Sequence, residues 1–392
     1  MLGSGEILPK CVSVMSEIFR QFLVLGLISF GGPAAHVGYF HRRFVEELQW
    51  LDEAEFARLL ALTQFLPGPA SSQLGFAIGR VRGGVAGALA AFVAFTLPSF
   101  LLMALLGIYA ASLPDWLQGG AITGLKWLAV MVVADAVWNM GKRFCAGAAT
   151  RGIAALVAVS LMLWPALLGQ MLALLVAAAI GWHWLRPGET STVNGKPVWR
   201  WLPLLAFAAL AVIALLPVGQ VLGLWNDFFA AGSLVFGGGH VVLPLLQELV
   251  GGQMSPDQFL TGYAAAQAVP GPMFSLASYL GAVLLPSSPW LGALIATLAI
   301  FLPGFLLVLG LMEGWQWLSS RPALAGAVAG INAAVVGLLL AALYQPVFMS
   351  AVHGIWDLLV VLAGFVLLRR GKVPLWAMVL GMAGLGVIAG VF

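Results

Sequence analysis

Charge is scarce in this chain. Only 8% of its 392 residues are Asp, Glu, Lys or Arg, against roughly 25% in an ordinary soluble domain. A surface so poor in charge excludes the soluble globular class at the outset. Lys and Arg together number 18 and Asp and Glu 15, a balance of +3. That is too small to mark a nucleic-acid partner, and none is expected. Cysteine is rarer still. Cys11 and Cys145 stand far apart, which excludes a disulfide framework and a metal-ligand cluster. The signatures of soluble chemistry are missing too. There is no Walker loop, no dinucleotide fingerprint, no His-Glu-x-x-His and no nucleophile–base pair. No metal, no cofactor and no enzymatic activity are expected. The N-terminus has no basic region leading into an apolar core and a small-residue cleavage site, so no cleaved leader is expected.

What the chain has is apolar length: 61% of it is hydrophobic. A spanning helix needs roughly 20 such residues. Apolar stretches fall at about 20–40, 57–78, 84–110, 121–140, 150–164, 165–184, 201–218, 226–247, 259–284, 290–311, 323–344, 353–368 and 374–391. The expected class is an all-α polytopic membrane protein of about thirteen hydrophobic spans in the lipid bilayer. Positive charge orients it. With Lys10 and Arg20 cytoplasmic, Arg80, Arg82, Lys142, Arg143, Arg151, Arg186, Arg200, Arg321, Arg369 and Arg370 fall on the same side. Arg42 and Arg43 are the exception, beside the acidic Glu46, Glu47, Asp52, Glu53 and Glu55.

The sequence also repeats itself. Ser29-Phe30-Gly31-Gly32-Pro33 is echoed by Val235-Phe236-Gly237-Gly238-Gly239, and Gln64-x-x-Pro67-Gly68-Pro69 by Gln267-x-x-Pro270-Gly271-Pro272. Leu97-Pro98 returns as Leu302-Pro303. The predicted organisation is a first repeat over 1–184, a linker with an extra membrane span over 185–225, and a second repeat over 226–392. One odd span between the repeats turns the second one over. Inverted-topology repeats with broken helices are a recurrent secondary-transporter plan, with substrate near the midplane.

The breaks carry the functional reading. Proline interrupts a helix interior, and glycine takes backbone angles other residues avoid. Each half-helix after a break presents unpaired N–H groups, which suit an anion. A helix N-terminus carries roughly +0.5 of a charge, so four converging ends would suit a dianion. The alternative is plain kinking or close packing through small residues. The candidate substrate-binding set is Ser29, Gly31, Gly32, Pro33, His36, Gln64, Pro67, Gly68, Pro69, Ser71 and Ser72 in the first half. In the second it is Gly237, Gly238, Gly239, His240, Gln267, Pro270, Gly271, Pro272 and Ser275. The serines also fit helix caps, the glutamines also fit as partners of broken backbone, and the two histidines also fit as structural residues. Glu46, Arg82, Lys126 and Glu248 are candidates for a charge or gating role. Lys126 is the clearest charge inside an apolar run, where ionisable groups are functional candidates, though it lies near enough to a span end to snorkel.

In these residues the sequence resembles the chromate transporter family, long two-domain type. The match is carried by Phe30-Gly31-Gly32-Pro33 with His36, the acidic segment near Glu46, Gln64-x-x-Pro67-Gly68-Pro69, Gly79-Arg80-Val81-Arg82-Gly83-Gly84 and Leu97-Pro98. The second half adds Phe236-Gly237-Gly238-Gly239, Pro244, Glu248, Gln267-x-x-Pro270-Gly271-Pro272 and Leu302-Pro303. The resemblance implies export of chromate across the bacterial cytoplasmic (inner) membrane, conferring resistance, with sulfate as the structural analogue. A sulfate-type importer or exchanger and an oxyanion channel are the alternatives, and a homodimer is left open. Gly239 stands where the first half has Pro33, so that break is expected to be softer.

Overall fold

The computed structural model describes residues 7–30, 32–109, 115–186, 197–216, 219–236, 242–371 and 373–391. Gly31, Gly237, Gly238, Gly239 and His240 lie outside them. The described residues are helical, with no strand among them.

In the first half the helices are α1 (Ile7–Ile28), α2 (Gly32–His41), α3 (Glu53–Phe65), α4 (Ala70–Tyr109), α5 (Asp115–Phe144), α6 (Ala148–Leu163) and α7 (Leu167–Trp184). The short α8 (Trp201–Ile213) connects the halves. The second half opens with α9 (Gln220–Leu234), α10 (Val242–Val250), α11 (Pro256–Ala268), α12 (Leu276–Leu284) and α13 (Pro289–Leu311). It closes with α14 (Trp315–Ser319), α15 (Pro322–Ala342), the single turn α16 (Met349–Ala351), α17 (Ile355–Arg369) and α18 (Leu375–Val391). Among the described residues, four helical segments are long and apolar enough to cross a membrane: Ala70–Tyr109, Gly119–Phe144, Pro289–Leu311 and Pro322–Ala351. Large apolar side chains stay exposed on the outside of the bundle, Leu156, Leu163 and Leu202 among them, as lipid-facing positions do. This is a multi-pass helical membrane protein.

The stretches at 20–40 and 57–78 do not hold one straight helix each. α2 folds back along α1. Phe22 meets Phe40 and Phe44 at ring separations of 5.7 and 4.8 Å, and Arg43 donates to Gln21. α3 and the first arm of α4 make a second hairpin. The chain leaves α3 through Leu66 in extended geometry, because Pro67 and Pro69 cannot continue a helix, and α4 begins at Ala70. α4 then breaks at Gly83 and Gly84, where Gly84 has φ +65°. Its second arm turns back so tightly that Gly79 and Gly87 face each other with no room for a side chain.

The folding-back explains the charge exception. Arg82 reaches Glu17 at 3.3 Å and lies over the Trp50 ring, while Arg43 is tied to Gln21. Arg42 and Arg43 therefore share one face of the molecule with Arg80 and Arg82, since a hairpin returns the chain to the side it left. The second half pairs its helices the same way. The Tyr279 hydroxyl donates to the Gln258 carbonyl at 3.0 Å, tying α12 back along α11, and Gly281 meets Gly292 at the turn into α13.

The two long helices run in opposite directions. α4's second arm starts beside Ile18 and Gly79 and ends where Gly107 meets Tyr279 and Ala282 of α12. α13 starts beside α12 and ends at the first half's charged face. There Arg58 donates to the Met312 carbonyl at 3.3 Å, and Glu313 lies 3.7 Å from Arg80. α8 makes the same journey as α4. Arg200, just before it, pairs with Glu313, and Asn226 of α9 donates to the carbonyls of Ile213 and Leu216 at its far end. Its 13 residues rise about 20 Å. The halves are also stitched by small residues, which let helix backbones approach closely in lipid. Gly120 and Gly124 of α5 meet Met382, Gly386 and Val387 of α18, and Gly326 and Gly330 of α15 meet Ala177 and Gly181 of α7.

Candidate functional site

The tips of the hairpins meet crosswise. Gly68, in the middle of the first Pro-Gly-Pro, donates its N–H to the carbonyl of Val235, just before the second half's glycine run, at 2.7 Å. Gly271, its counterpart in the second half, donates to the carbonyl of Ser29, just before the first half's glycine run, at 3.0 Å. Each Pro-Gly-Pro thus pairs with the other repeat's Phe-Gly-Gly motif. Both glycines are needed for the turn: φ is +117° at Gly68 and +101° at Gly271, where other residues are strained. They also sit against the opposite half. A Cβ on Gly68 would lie 3.2 Å from the Gly304 Cα, and one on Gly271 would lie 3.0 Å from the Ser99 Oγ.

His36 supports this junction. Its ring is fully buried and stands edge-on to Phe95 at 5.3 Å. Nε2 faces the Ser29 carbonyl at 3.2 Å, and Nδ1 faces the Ser71 hydroxyl at 3.2 Å. The carbonyl can only accept, so Nε2 carries a hydrogen; when the ring is neutral, Nδ1 accepts from Ser71. Ser29 is therefore a shared acceptor, taking the Gly271 N–H from one half and the His36 ring from the other. Gln73 plays the matching part at the other tip. It is fully buried, and its Nε2 donates to the Pro67 carbonyl at 2.7 Å.

Several hydroxyls here have no partner among the described residues. Ser29 Oγ, Ser72 Oγ, Ser275 Oγ and Thr96 Oγ1 are buried and unbonded, as is Gln73 Oε1. A buried polar atom without a partner costs about 1–3 kcal/mol, so a cluster of them at a junction of broken helices is a feature to be explained. All five belong to the repeated motifs or the turn after them. Gln267 is also buried, with its Nε2 on the Met273 sulfur at 2.8 Å. Its counterpart Gln64 instead accepts from Arg143 at 2.5 Å, so the first tip has a cation at its glutamine where, among the described residues, the second has a sulfur. Gly32 has φ +74° at the start of α2, and Pro33 falls in that helix's first turn. Pro270 and Pro272 flank Gly271 in the turn between α11 and the short turn ahead of α12.

The four charge candidates are scattered, not gathered at the tips. Glu46 pairs with His41 at 3.1 Å, and Glu53 pairs with the same ring at 2.9 Å. The hydrogen bond to Glu53, with help from Glu46, pushes the His41 pKa up. Arg82 is held by Glu17 and Trp50. Lys126 is paired with Asp257 at the start of α11, so its intramembrane charge has a partner from the other half. Asp135 pairs with Arg369 at 3.1 Å. Glu248 lines a separate cavity with Gln170 and Gln247. On the charged face Arg200 bonds Glu313 at 2.8 Å and holds its carboxyl below the usual range.

With this geometry in view, comparison with known proteins is direct. The family model described as "Chromate transporter" matches twice, over residues 16–182 and 222–387. The chain belongs to the chromate transporter family. Its relatives include a "Probable chromate transport protein" of Synechococcus elongatus, 31% identical over 342 residues, covering 83% of this chain and 82% of that one. A "Chromate transport protein" of Cupriavidus metallidurans is 29% identical over 392 residues, covering 99% of this chain and 96% of its own. Another of that name, from Pseudomonas aeruginosa, is 29% identical over 364 residues, covering 86% and 82%. No solved structure matches the chain.

Thr96, Ser99 and Arg143 belong to the junction but were not among the candidates read from sequence. Thr96 and Ser99 stand in the repeated Leu-Pro motif, and that repetition was the available signal. Arg143 carried none, since it reaches Gln64 only because the fold brings α5 across the first hairpin.

Proposed function

We propose that this protein is a secondary transporter that exports a tetrahedral oxyanion, chromate first, by alternating access between two inverted repeats. Membership of a family whose members are named for chromate transport gives the substrate class. The crosswise pairing of Gly68 with Val235 and Gly271 with Ser29 carries the rest. An arrangement in which each repeat contributes one partner to each of two equivalent contacts is what a two-fold relation produces. The opposed directions of α4 and α13 suit an axis lying in the membrane plane.

On this reading α1 with α2, α3 with the first arm of α4, and α11 with α12 are re-entrant hairpins whose broken tips meet near mid-membrane. Irregular backbone at that depth is tolerated only where protein or a cavity surrounds it. The buried hydroxyls of Ser29, Ser72 and Ser275, with the half-helix N-termini, supply hydrogen-bond donors to the substrate oxygens. The junction is closed to solvent, with Ser29 and His36 fully buried, which fits an occluded conformation. Arg80, Arg82, Arg42 and Arg43 mark the cytoplasmic face of the inner membrane. The reading is tested by uptake of labelled chromate into everted vesicles. Accumulation above that of vesicles lacking the protein is expected, and its absence refutes the function.

A further inference from the structure

Two cations stand side by side in the last turn of α5, Lys142 and Arg143, and they go different ways. Lys142 stays with its own helix, its Nζ 4.9 Å from the centre of the Trp138 ring. Arg143 crosses to the first hairpin, where its Nη2 donates to the Gln64 Oε1 at 2.5 Å. Gln64 lies in the last turn of α3, three residues ahead of Pro67. The dipole of α5 favours a cation in its last turn, which accounts for Lys142 in full. It does not account for a side chain that reaches a partner 79 residues back along the chain, at the hairpin tip.

A guanidinium has five N–H donors and no acceptor. Arg80, Arg82 and Arg369 are each matched by a carboxylate. Arg143, among the described residues, is matched by the Gln64 amide oxygen alone. The Phe144 ring, 5.1 Å from the guanidinium carbon, adds an aromatic face but no formal charge. The Arg143 side chain is exposed, and an open guanidinium is far less costly against water than against lipid tails. The second tip differs. Gln267 is buried there on the Met273 sulfur. Two tips alike in backbone therefore differ in charge. We propose that Arg143 is a substrate-binding residue: the transported oxyanion meets its guanidinium on the way to the junction, and Gln64 holds that group in position. The proposal rests on the transport reading above. The N–H groups that Gln64 leaves free match two oxygens of a tetrahedral anion at once, as a fork. α3 leaves the charged face at Arg58, beside Met312, so on that reading the approach to Arg143 opens from the cytoplasm, where an exporter loads.

The experiment is chromate uptake into everted vesicles holding the full-length protein, with melting temperatures taken in detergent. Arg143→Gln should raise the chromate KM about tenfold or more, the equivalent of ~1.4 kcal/mol, with kcat little changed. Arg143→Lys keeps the charge and loses the fork, so its KM should fall between. Gln64→Glu is the decisive variant. It leaves Arg143 a partner in the same place, so a purely structural arginine would be held as well or better, at an unchanged KM. Where the charge serves the substrate, the new carboxylate cancels it. KM should then rise as in Arg143→Gln while the melting temperature holds. Should Arg143→Gln fail to fold, Gln64→Glu decides alone. A wild-type KM in Arg143→Gln overturns the proposal, and so does a wild-type KM in Gln64→Glu. Wild-type protein that moves no chromate refutes the transport reading instead.

Discussion

Ser29 offers one carbonyl to two donors from different parts of the chain: the backbone N–H of Gly271 at 3.0 Å and the ring of His36 at 3.2 Å. The first of these crosses from one repeat to the other. The second ties the same atom to α2, and through Nδ1 to Ser71 on α4. Any movement that separates the Pro-Gly-Pro tip of the second half from the first half must break the Gly271 contact while leaving the histidine in place. On the proposed transport cycle, the glycine pair is the natural seam.

The glycines give the first prediction. Gly68→Ala and Gly271→Ala face both an unfavourable φ and close neighbours, with Gln73 Nε2 2.8 Å from the new Cβ at position 68. Gly84→Ala meets open space and only a φ of +65°. Backbone strain alone costs roughly 1–2 kcal/mol. Gly84→Ala should lose about that much stability, and the tip variants more, with chromate transport abolished. Thermal unfolding in detergent and vesicle uptake check both, and tip variants no worse than Gly84→Ala would contradict the crowding.

The unpartnered hydroxyls give a second. Removing Ser29, Ser72 or Ser275 Oγ by alanine takes away a buried group that makes no bond to the described residues. Stability should hold or rise slightly. If these hydroxyls donate to the transported oxyanion, each loss should raise the chromate KM about tenfold, the equivalent of ~1.4 kcal/mol. Destabilisation with an unaltered KM would show them to be structural.

Protonation of His41 supplies a third. Its pKa lies above the ordinary 6.5, chiefly through the Glu53 hydrogen bond. A raised folded-state value means the contribution to stability is fully present below about pH 6.5. It is lost as pH climbs through the folded-state pKa. The stability difference between wild type and His41→Ala should therefore shrink towards alkaline pH. The His41 side chain is 30% exposed and that of Glu53 73%, so solvent screens the pair and the whole effect is about 0.5 kcal/mol or less. A difference that grows with pH would reverse the sign and refute it.

Driving force is the fourth. A dianion leaving a cell that is negative inside gains roughly 4.6 kcal/mol per 100 mV, twice the ~2.3 kcal/mol of a single charge. Lys126 and Asp135 are already paired, with Asp257 and Arg369, and His36 is bonded through both ring nitrogens. Export driven by potential is expected. In vesicles clamped at zero potential with potassium and valinomycin, a pH gradient alone should move no chromate against its gradient. Concentrative movement there would shift the mechanism to proton exchange.

Selectivity is the last. Donors that are backbone N–H groups and hydroxyls recognise shape and charge rather than the metal centre of the anion. Sulfate should compete with chromate in vesicles, and nitrate at equal ionic strength should not.

Much of this was fixed by composition and repetition. Scarce charge and long unbroken apolar runs pointed to a membrane helix bundle, because a helix satisfies its whole backbone within one segment in lipid, whereas a barrel would show short alternating strands. The duplicated Phe-Gly-Gly and Pro-Gly-Pro motifs marked where helices must stop, since proline and glycine act locally on the backbone whatever surrounds them. They could not say where a stopped helix goes next. Hydropathy is blind to direction, so 20–40 read the same as one crossing or as α1 folding back into α2, and Arg42 and Arg43 looked misplaced as a result. Only tertiary contacts, Arg43 on Gln21 and Arg82 on Glu17 and Trp50, returned them to their face. The partners of Lys126 and Gln64, and the Gly271 partner of Ser29, were equally out of reach, because each lies far along the chain. A contact of that kind depends on how helices pack, and no residue's own neighbours encode it.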